Sequence, residues 1–129
     1  MEPDKKKTIL IVDDDEVILG AIKALLEVNG YKVLTAVNYK ETLKIVNHEA
    51  LDLMLLDIML PEVKGTDILP ITKKTAYFGK PFPVIYISAR PKESVNLEGS
   101  DGFVQKPFKN KELLQYIDNI LKKFSKEQK

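Results

Sequence analysis

The chain has 129 residues, enough for one domain with its own hydrophobic core and too few for a second. Its 44% hydrophobic and 30% charged residues are typical of a globular protein, and a net charge of +1 gives no electrostatic reason to expect binding to nucleic acid or a membrane. The absence of cysteine excludes disulfides, thiolate metal sites and thiol catalysis. Because neither a membrane-spanning apolar stretch nor a secretory signal is recognisable, we expect a cytoplasmic protein.

The first thirty residues predict a strand and a helix. Thr8–Val12 is an apolar run of the kind that parallel sheets bury on both faces. A helix should follow, with Asp14 or Asp15 as its cap and Asn29-Gly30 as its stop. Its expected apolar face consists of Ile18, Ala21, Ile22, Leu25 and Leu26.

The next elements repeat this alternation. Tyr31–Ala36 is the second predicted strand, and Tyr39–Asn47 is a short helix that should bury Leu43 and Val46. Leu51–Leu56 is the third predicted strand. Strand and helix signals thus alternate through the first half of the chain.

Prolines and glycines interrupt the middle of the chain. Pro61 and Gly65 bracket a loop, and a helix should begin at about Thr66. Pro70 is expected to disrupt this helix unless it falls in the first turn. The fourth predicted strand, Val84–Ile87, follows.

The last part of the chain contains its clearest helix. Pro91–Asp101 is polar and contains glycine, so any helix there should be short. Phe103–Gln105 is a brief fifth strand, and Lys111–Lys123 is the helix. Its apolar residues form one stripe: Leu113, Ile117, Ile120, Leu121 and Phe124.

Alternating strands and helices predict right-handed crossovers and a parallel sheet covered on both faces. Five of each predict an α/β fold, a doubly wound (βα)5 sandwich whose five-stranded sheet has the flavodoxin-like order 2-1-3-4-5. We expect residues 1–7 to be a polar leader, residues 8–124 to form the domain and residues 125–129 to be a lysine-rich tail.

Aspartates follow the two strands that this order makes neighbours. Asp13, Asp14 and Asp15 come after the first strand, and Asp57 comes after the third. Side chains at the carboxyl ends of parallel strands open into the crevice where α/β sheets bind ligands. Crowded carboxylates repel one another unless a cation joins them, and all-oxygen, partly hydrated sites suit Mg²⁺. The pattern indicates a metal ion and a phosphoryl group, with Asp15 kept as a helix cap.

A hydroxyl and an ammonium group reach the same edge of the sheet, since Ser88 ends the fourth strand and Lys106 ends the fifth. With these residues the chain resembles the receiver domain of bacterial two-component response regulators, over about residues 8 to 124. The matching motifs are Ile-Val-Asp13-Asp14-Asp15, Leu-Leu-Asp57-Ile-Met-Leu-Pro61 with Gly65, Ile-Ser88-Ala89 and Lys106-Pro107-Phe108.

The resemblance implies that Asp57 is the phosphoacceptor. Its phosphoryl group would come from a phosphohistidine on a sensor histidine kinase or a phosphotransfer protein. The resemblance further implies that Mg²⁺, with Mn²⁺ as the alternative, is held by Asp13, Asp14, Asp57 and the backbone carbonyl of Met59. Lys106 would bind a phosphoryl oxygen as a point charge.

Other residues take switch roles by the same resemblance. The Ser88 hydroxyl would donate to a second phosphoryl oxygen, and Ala89 would stay small so that this strand end can close in. Phe103 would turn inward and change the face made by the fourth helix, the fifth strand and the fifth helix. The Lys106–Pro107 bond is a candidate cis peptide.

The resemblance also sets expectations for partners and for departures. We expect a stand-alone regulatory phosphoacceptor rather than an enzyme, capable at most of its own phosphorylation and dephosphorylation. It should act on an unidentified downstream protein, bind neither nucleic acid nor membrane, and be a monomer or a phosphorylation-dependent dimer. Because the segment from Ser88 to Lys106 is a few residues shorter than the family pattern, the fourth helix should be truncated or irregular.

Rival functions share parts of the pattern. An aspartate-nucleophile phosphohydrolase needs a second acid two residues after the nucleophile, where this chain has Met59. A phosphorylation-independent interaction module would not need the acids, the hydroxyl and the lysine that are all present. A flavin-binding sandwich is disfavoured, because no Gly/Ser/Thr-rich loop follows the first strand. The first two stay open as alternatives.

Overall fold

The computed structural model describes residues 6–60, 63–74 and 76–127, with the side chain of Phe78 outside the description. Most of the predicted leader, and Pro61 of the predicted loop, therefore lie outside the described residues. The strands are β1 (Thr8–Val12), β2 (Lys32–Ala36), β3 (Leu53–Asp57), β4 (Val84–Ser88) and β5 (Gly102–Gln105). The helices are α1 (Glu16–Val28), α2 (Tyr39–His48), α3 (Gly65–Lys74) and α4 (Asn110–Glu127).

All strand pairs are parallel, and the sheet order is β2-β1-β3-β4-β5, which confirms the predicted order 2-1-3-4-5. Val12 of β1 is in register with Leu56 of β3. The residues that follow these two positions are Asp13 and Asp57. The topology therefore brings the ends of β1 and β3 together at one edge of the sheet.

Alternate residues of the central strands pack on opposite sides of the sheet, and this explains the uninterrupted apolar runs. One set packs with α1 and α4: Ile9, Ile11, Leu53, Leu55, Ile85 and Ile87. The other packs with α2 and α3: Leu10, Val12, Met54, Leu56, Val84 and Tyr86. Each fully buried aliphatic side chain stabilises the fold by about 1.5–3 kcal/mol. The core therefore holds the strand ends in fixed positions.

Helix α1 begins and ends where the sequence predicts. The Asp15 carboxylate accepts the backbone N–H groups of Val17 and Ile18 at 3.0 and 3.2 Å, as expected for an N-cap. After the last turn, Gly30 has a φ of 93°, a conformation that favours glycine. The predicted apolar face is wrong in part, because Ala21 is exposed. The buried side chains of α1 are Leu19, Ile22 and Leu26.

Two predictions inside helices are also wrong. In α2, Val46 is buried as predicted, but Thr42 rather than Leu43 is the second buried side chain. The Thr42 hydroxyl donates to the backbone oxygen of Asn38 at 2.8 Å, so its burial leaves no polar atom without a partner. In α3, Pro70 lies beyond the first turn and yet does not end the helix. Its ring is exposed, away from the buried side of α3.

The (βα)5 prediction needs one correction, between β4 and β5. In the part of the chain that the structure describes, this connection contains no α-helix, only a one-turn 3₁₀ helix at Lys92–Ser94. The expected truncation of the fourth helix is thus confirmed, and α4 is the helix predicted as the fifth. It continues to Glu127, so residues 125–127 of the predicted tail are helical. No helix among the described residues is long and apolar enough to cross a membrane.

Candidate functional site

Three aspartates meet at the carboxyl edge of the sheet. Asp13 follows β1 directly, and Asp57 is the last residue of β3. Carboxylate oxygens of Asp13, Asp14 and Asp57 all lie within 4.8 Å of one another, with Asp13 and Asp57 buried and Asp14 exposed. Since carboxylate oxygens at such spacing can share one hard cation, the donor set fits Mg²⁺, and the exposed position of Asp14 leaves one side of the site open to solvent.

Lys106 provides the positive charge of the site. Its Nζ atom lies 2.8 Å from Asp13 Oδ2 and 3.3 Å from Asp57 Oδ2, and its side chain is only 17% exposed. The Lys106 N–H donates to the carbonyl of Ser88 at 2.7 Å, which fixes the chain where β5 ends. One ammonium facing three carboxylates leaves an excess of negative charge, which favours a further cation.

Burial and charge act in opposite directions on these groups. Burial raises the pKa of Asp57, and the Met59 N–H bond and the Lys106 charge offset this only in part. Burial by itself lowers the pKa of Lys106, but its contacts with Asp13 and Asp57 outweigh burial and leave that pKa raised. The two pKa values are therefore raised for different reasons. The carboxylates of Asp13 and Asp57 stabilise the charged form of Lys106, whereas the loss of hydration destabilises the charged form of Asp57.

Backbone contacts hold the loop after β3 against the start of α3. The Met59 N–H donates to Asp57 Oδ1 at 2.9 Å and orients the carboxylate. The N–H of Gly65 donates to the Ile58 carbonyl at 2.6 Å. A Cβ atom at Gly65 would lie 2.6 Å from the Asp57 carbonyl oxygen, so only glycine permits this approach. In the sequence Gly65 is recognisable only as a loop and motif residue, and nothing there indicates this contact.

The remaining predicted site residues have different surroundings. Ser88 is buried at the end of β4, and its hydroxyl oxygen accepts the Arg90 N–H at 3.0 Å. Ala89 is exposed beside Lys106, and the Lys106–Pro107 peptide bond is cis. Phe103 is not part of the acid cluster. It is half-buried in the core between the sheet and helices α2 and α3, in register with Tyr86.

An apolar cavity of about 360 Å³ adjoins the site. Its apolar wall is formed by α1 and by the segment after Lys106, with Ile18, Ile22, Pro107 and Phe108 among the lining residues. Lys106 and Ala89 line the same cavity, so it opens next to the charged cluster. This groove is not recognisable in the sequence, because it is formed by residues far apart in the chain.

The fold and the site define a class of protein: doubly wound α/β domains with an acidic, lysine-containing site at the carboxyl edge of a parallel sheet. A family model described as the response regulator receiver domain matches residues 9–118. The chain belongs to this family, and its function is two-component signal transduction.

Relatives and solved structures agree with this assignment. The chain is 36% identical over 122 residues to the response regulator SaeR of Staphylococcus aureus, covering 92% of this chain and 52% of SaeR, about half its length. A CheY-like receiver domain from Methanospirillum hungatei superposes with a TM-score of 0.84 at 33% identity, covering 95% of this chain and 99% of that one. A Francisella receiver domain superposes with a TM-score of 0.80 at 31% identity, covering 92% of this chain and 99% of that one.

Proposed function

We propose that Asp57 accepts one phosphoryl group from a phosphohistidine of a sensor histidine kinase or a phosphotransfer protein, in a reaction that depends on Mg²⁺. The observation that carries this proposal is the convergence of three carboxylate side chains and one lysine at a single sheet edge. A solitary ion pair would explain neither the presence of three acids nor the burial of Asp13 and Asp57. Mn²⁺ would serve as the alternative cation.

In the reaction, an Asp57 carboxylate oxygen forms a bond to phosphorus while the phosphorus–nitrogen bond of the donor breaks. The imidazole nitrogen leaves with the bonding electron pair and takes a proton from water. The Met59 N–H, at 2.9 Å from Asp57 Oδ1, holds one carboxylate oxygen and leaves Oδ2 as the nucleophile. Asp57 must be ionised to attack, and its raised pKa means that it binds a proton more readily than an ordinary aspartate.

Mg²⁺ held by Asp13, Asp14, Asp57 and the Met59 carbonyl would neutralise charge on the carboxylates and on the incoming phosphoryl oxygens. Lys106 lies within 3.3 Å of Asp57 Oδ2 and can transfer its contact to a phosphoryl oxygen on that atom. Ser88 accepts a hydrogen bond from Arg90 and so keeps its own hydroxyl hydrogen for a second phosphoryl oxygen.

The apolar groove beside Lys106 is our proposed binding site for the donor. A phosphohistidine that reaches Asp57 must bring the surface around it against the rim of the site, where this groove opens. An amphipathic helix carrying the histidine suits an apolar groove of this kind. Ile18 and Ala21 on α1 and Phe108 after β5 would contact that helix.

The output surface differs from the one that the family resemblance implies. Because the described connection between β4 and β5 has no α-helix, the face that changes on phosphorylation would consist of β5 and α4. Phe103 lies half-buried against the core. We propose a phosphorylation-dependent contact of this face with a downstream protein or with a second copy of the chain, in the cytoplasm.

Intact mass measurement after incubation with a small phosphodonor such as phosphoramidate tests the proposal. One phosphoryl group per chain should appear with Mg²⁺, little without it, and none in Asp57→Ala. Asp52→Ala is the matched control, because Asp52 flanks the same strand at its other end and should label normally. Labelling of Asp57→Ala to the same extent would refute the assignment. Turnover well beyond one equivalent would indicate the phosphohydrolase instead.

A further inference from the structure

Tyr116, in the middle of α4, makes an unusual contact with the edge of the sheet. Its hydroxyl oxygen accepts the backbone N–H of Phe103 in β5 at 3.0 Å. Its ring lies so close to the strand that a Cβ atom at Gly102 would be 2.8 Å from Tyr116 Cε1. Glycine at position 102 is therefore what allows the ring to rest on the strand.

This contact closes an otherwise open strand edge. Among the residues that the structure describes, β5 pairs with β4 alone, so the amides on its other side have no described strand neighbour. In a parallel pair alternate N–H groups point away from the partner strand, and an unpaired edge N–H is available to other chains. The Tyr116 hydroxyl takes the place of the missing neighbour at Phe103.

The same contact joins two parts of the molecule that have different roles. β5 ends at Gln105, directly before Lys106, which contacts Asp13 and Asp57. On α4, Tyr116 is adjacent to Ile117, which is buried against the sheet. Lys106 is thus connected through the backbone to β5, and the Tyr116 hydroxyl bond connects β5 to the helix.

We propose that Tyr116 is a positioning residue that couples β5, and with it Lys106, to helix α4. The signalling consequence rests on the proposed function: when a phosphoryl group on Asp57 draws Lys106 toward it, α4 moves with β5. The coupling itself does not rest on the proposed function, because every contact that carries it lies within the chain.

Amide hydrogen exchange of the full chain, without ligand, tests the contact first. Tyr116→Phe keeps the ring over Gly102 and removes the hydroxyl. Exchange at the Phe103 amide should become about fivefold faster, which corresponds to the loss of one ordinary hydrogen bond. Tyr31→Phe is the matched control, since Tyr31 is also half-buried in the core that α4 shares. An unchanged Phe103 rate in Tyr116→Phe would overturn the proposal.

The coupling between β5 and α4 is tested by a change at the Lys106 site and a measurement in α4. Lys106→Met, or Asp57→Asn if that variant does not fold, should change exchange rates in residues 110–127 of the otherwise unaltered chain. The change should disappear in the Tyr116→Phe background and persist in the Tyr31→Phe background. Equal changes in both backgrounds, or no change in α4 at all, would overturn the coupling.

Repeating the measurement with Mg²⁺ and beryllofluoride, a phosphoryl mimic, separates the two proposals. If beryllofluoride binding slows exchange at the site, and if exchange in α4 changes only when Tyr116 is present, both the proposed function and the coupling are supported. A chain that does not bind beryllofluoride would refute the proposed function, while the ligand-free exchange still decides the coupling. Binding with an α4 response of equal size in Tyr116→Phe would refute the coupling alone.

Discussion

The two ends of β3 each carry an aspartate that contacts a lysine. At the start of the strand, Asp52 accepts from Lys80 at 3.0 Å, and at its end Asp57 lies 3.3 Å from Lys106. The pair distances are similar, but the Lys80 side chain is 44% exposed and the Lys106 side chain only 17%. Proximity of opposite charges therefore does not distinguish a structural pair from a functional one.

The balance of charge does distinguish them. Asp52 uses its second oxygen to accept the Thr8 N–H at 2.7 Å. Each of its oxygens therefore has a hydrogen-bond partner, and the Lys80 charge balances its own. Asp57 shares its lysine with Asp13 and has Asp14 close by. This end of the strand has more negative charge than the fold neutralises, and that excess favours the binding of a further cation.

Replacing each lysine in turn should give the largest difference in stability between the two ends of β3. Lys106→Met leaves buried carboxylates without their counter-charge and should lower the free energy of unfolding by about 2 kcal/mol in the absence of Mg²⁺. Urea denaturation measures this loss, and added Mg²⁺ should restore much of it. A loss no larger than that caused by Lys80→Met would contradict the view that the Asp57 end is electrostatically unbalanced.

Gly65→Ala tests how tightly the backbone is packed at the Asp57 end. The new Cβ atom would meet the Asp57 carbonyl oxygen at 2.6 Å, and because these are backbone atoms the start of α3 or the Asp57 loop must move. We expect a loss of about 2 kcal/mol in the free energy of unfolding and slower phosphoryl uptake.

Gly20→Ala is the control, since a Cβ atom there meets nothing within 4 Å in helix α1. That change should stabilise the chain by about 0.5–1 kcal/mol, because alanine favours helices more than glycine. Equal effects of the two substitutions would show that Gly65 is not confined by Asp57.

The pH dependence of stability should show the cost of ionising Asp57. Burial raises its pKa above the ordinary 3.8, so its stabilising contribution is complete below pH 3.8 and is lost as the pH rises through the raised value. The stability of Asp57→Asn relative to the unaltered chain should therefore increase from pH 4 toward neutrality. Parallel stability curves for the two proteins over this range would exclude a raised pKa.

The smallest effect is expected at the exposed end. Lys80→Met removes a pair that solvent screens, so the free energy of unfolding should fall by less than about 1 kcal/mol. Adding salt should reduce the difference between this variant and the unaltered chain still further. A loss above that bound in thermal or urea unfolding would mean that exposure does not separate the two pairs as argued.

Most of the fold could be predicted because the central strands are buried on both faces, which leaves continuous apolar runs such as Thr8–Val12 in the sequence. The strand order then placed Asp13 beside Asp57. Buried polar side chains were harder to predict: Thr42 is buried because its hydroxyl bonds to the backbone, and composition does not reveal that bond. Pro70 was misjudged because an exposed proline can remain inside a helix.

Contacts across the fold were not predictable from local pattern. Nothing adjacent to Tyr116 in sequence indicates that its hydroxyl reaches Phe103, thirteen positions away. Gly65 falls in a predicted loop and Gly102 directly before the predicted fifth strand, and the need for glycine at each position is visible only from the contacts with Asp57 and Tyr116. The residue types at these positions are determined by neighbours that are distant in sequence and that the fold brings into contact.

Divalent-cation binding, measured by Mg²⁺ titration with NMR shifts or by Mn²⁺ relaxation, tests the central claim most directly. One ion should bind per chain, with its strongest effects on Asp13, Asp14 and Asp57. Neutralising any of these three as asparagine should weaken binding about tenfold or more, because each supplies charge and a ligand oxygen. Asp52→Asn should leave the affinity unchanged. Equal weakening by Asp52→Asn, or full affinity in Asp13→Asn and Asp57→Asn, would contradict the account.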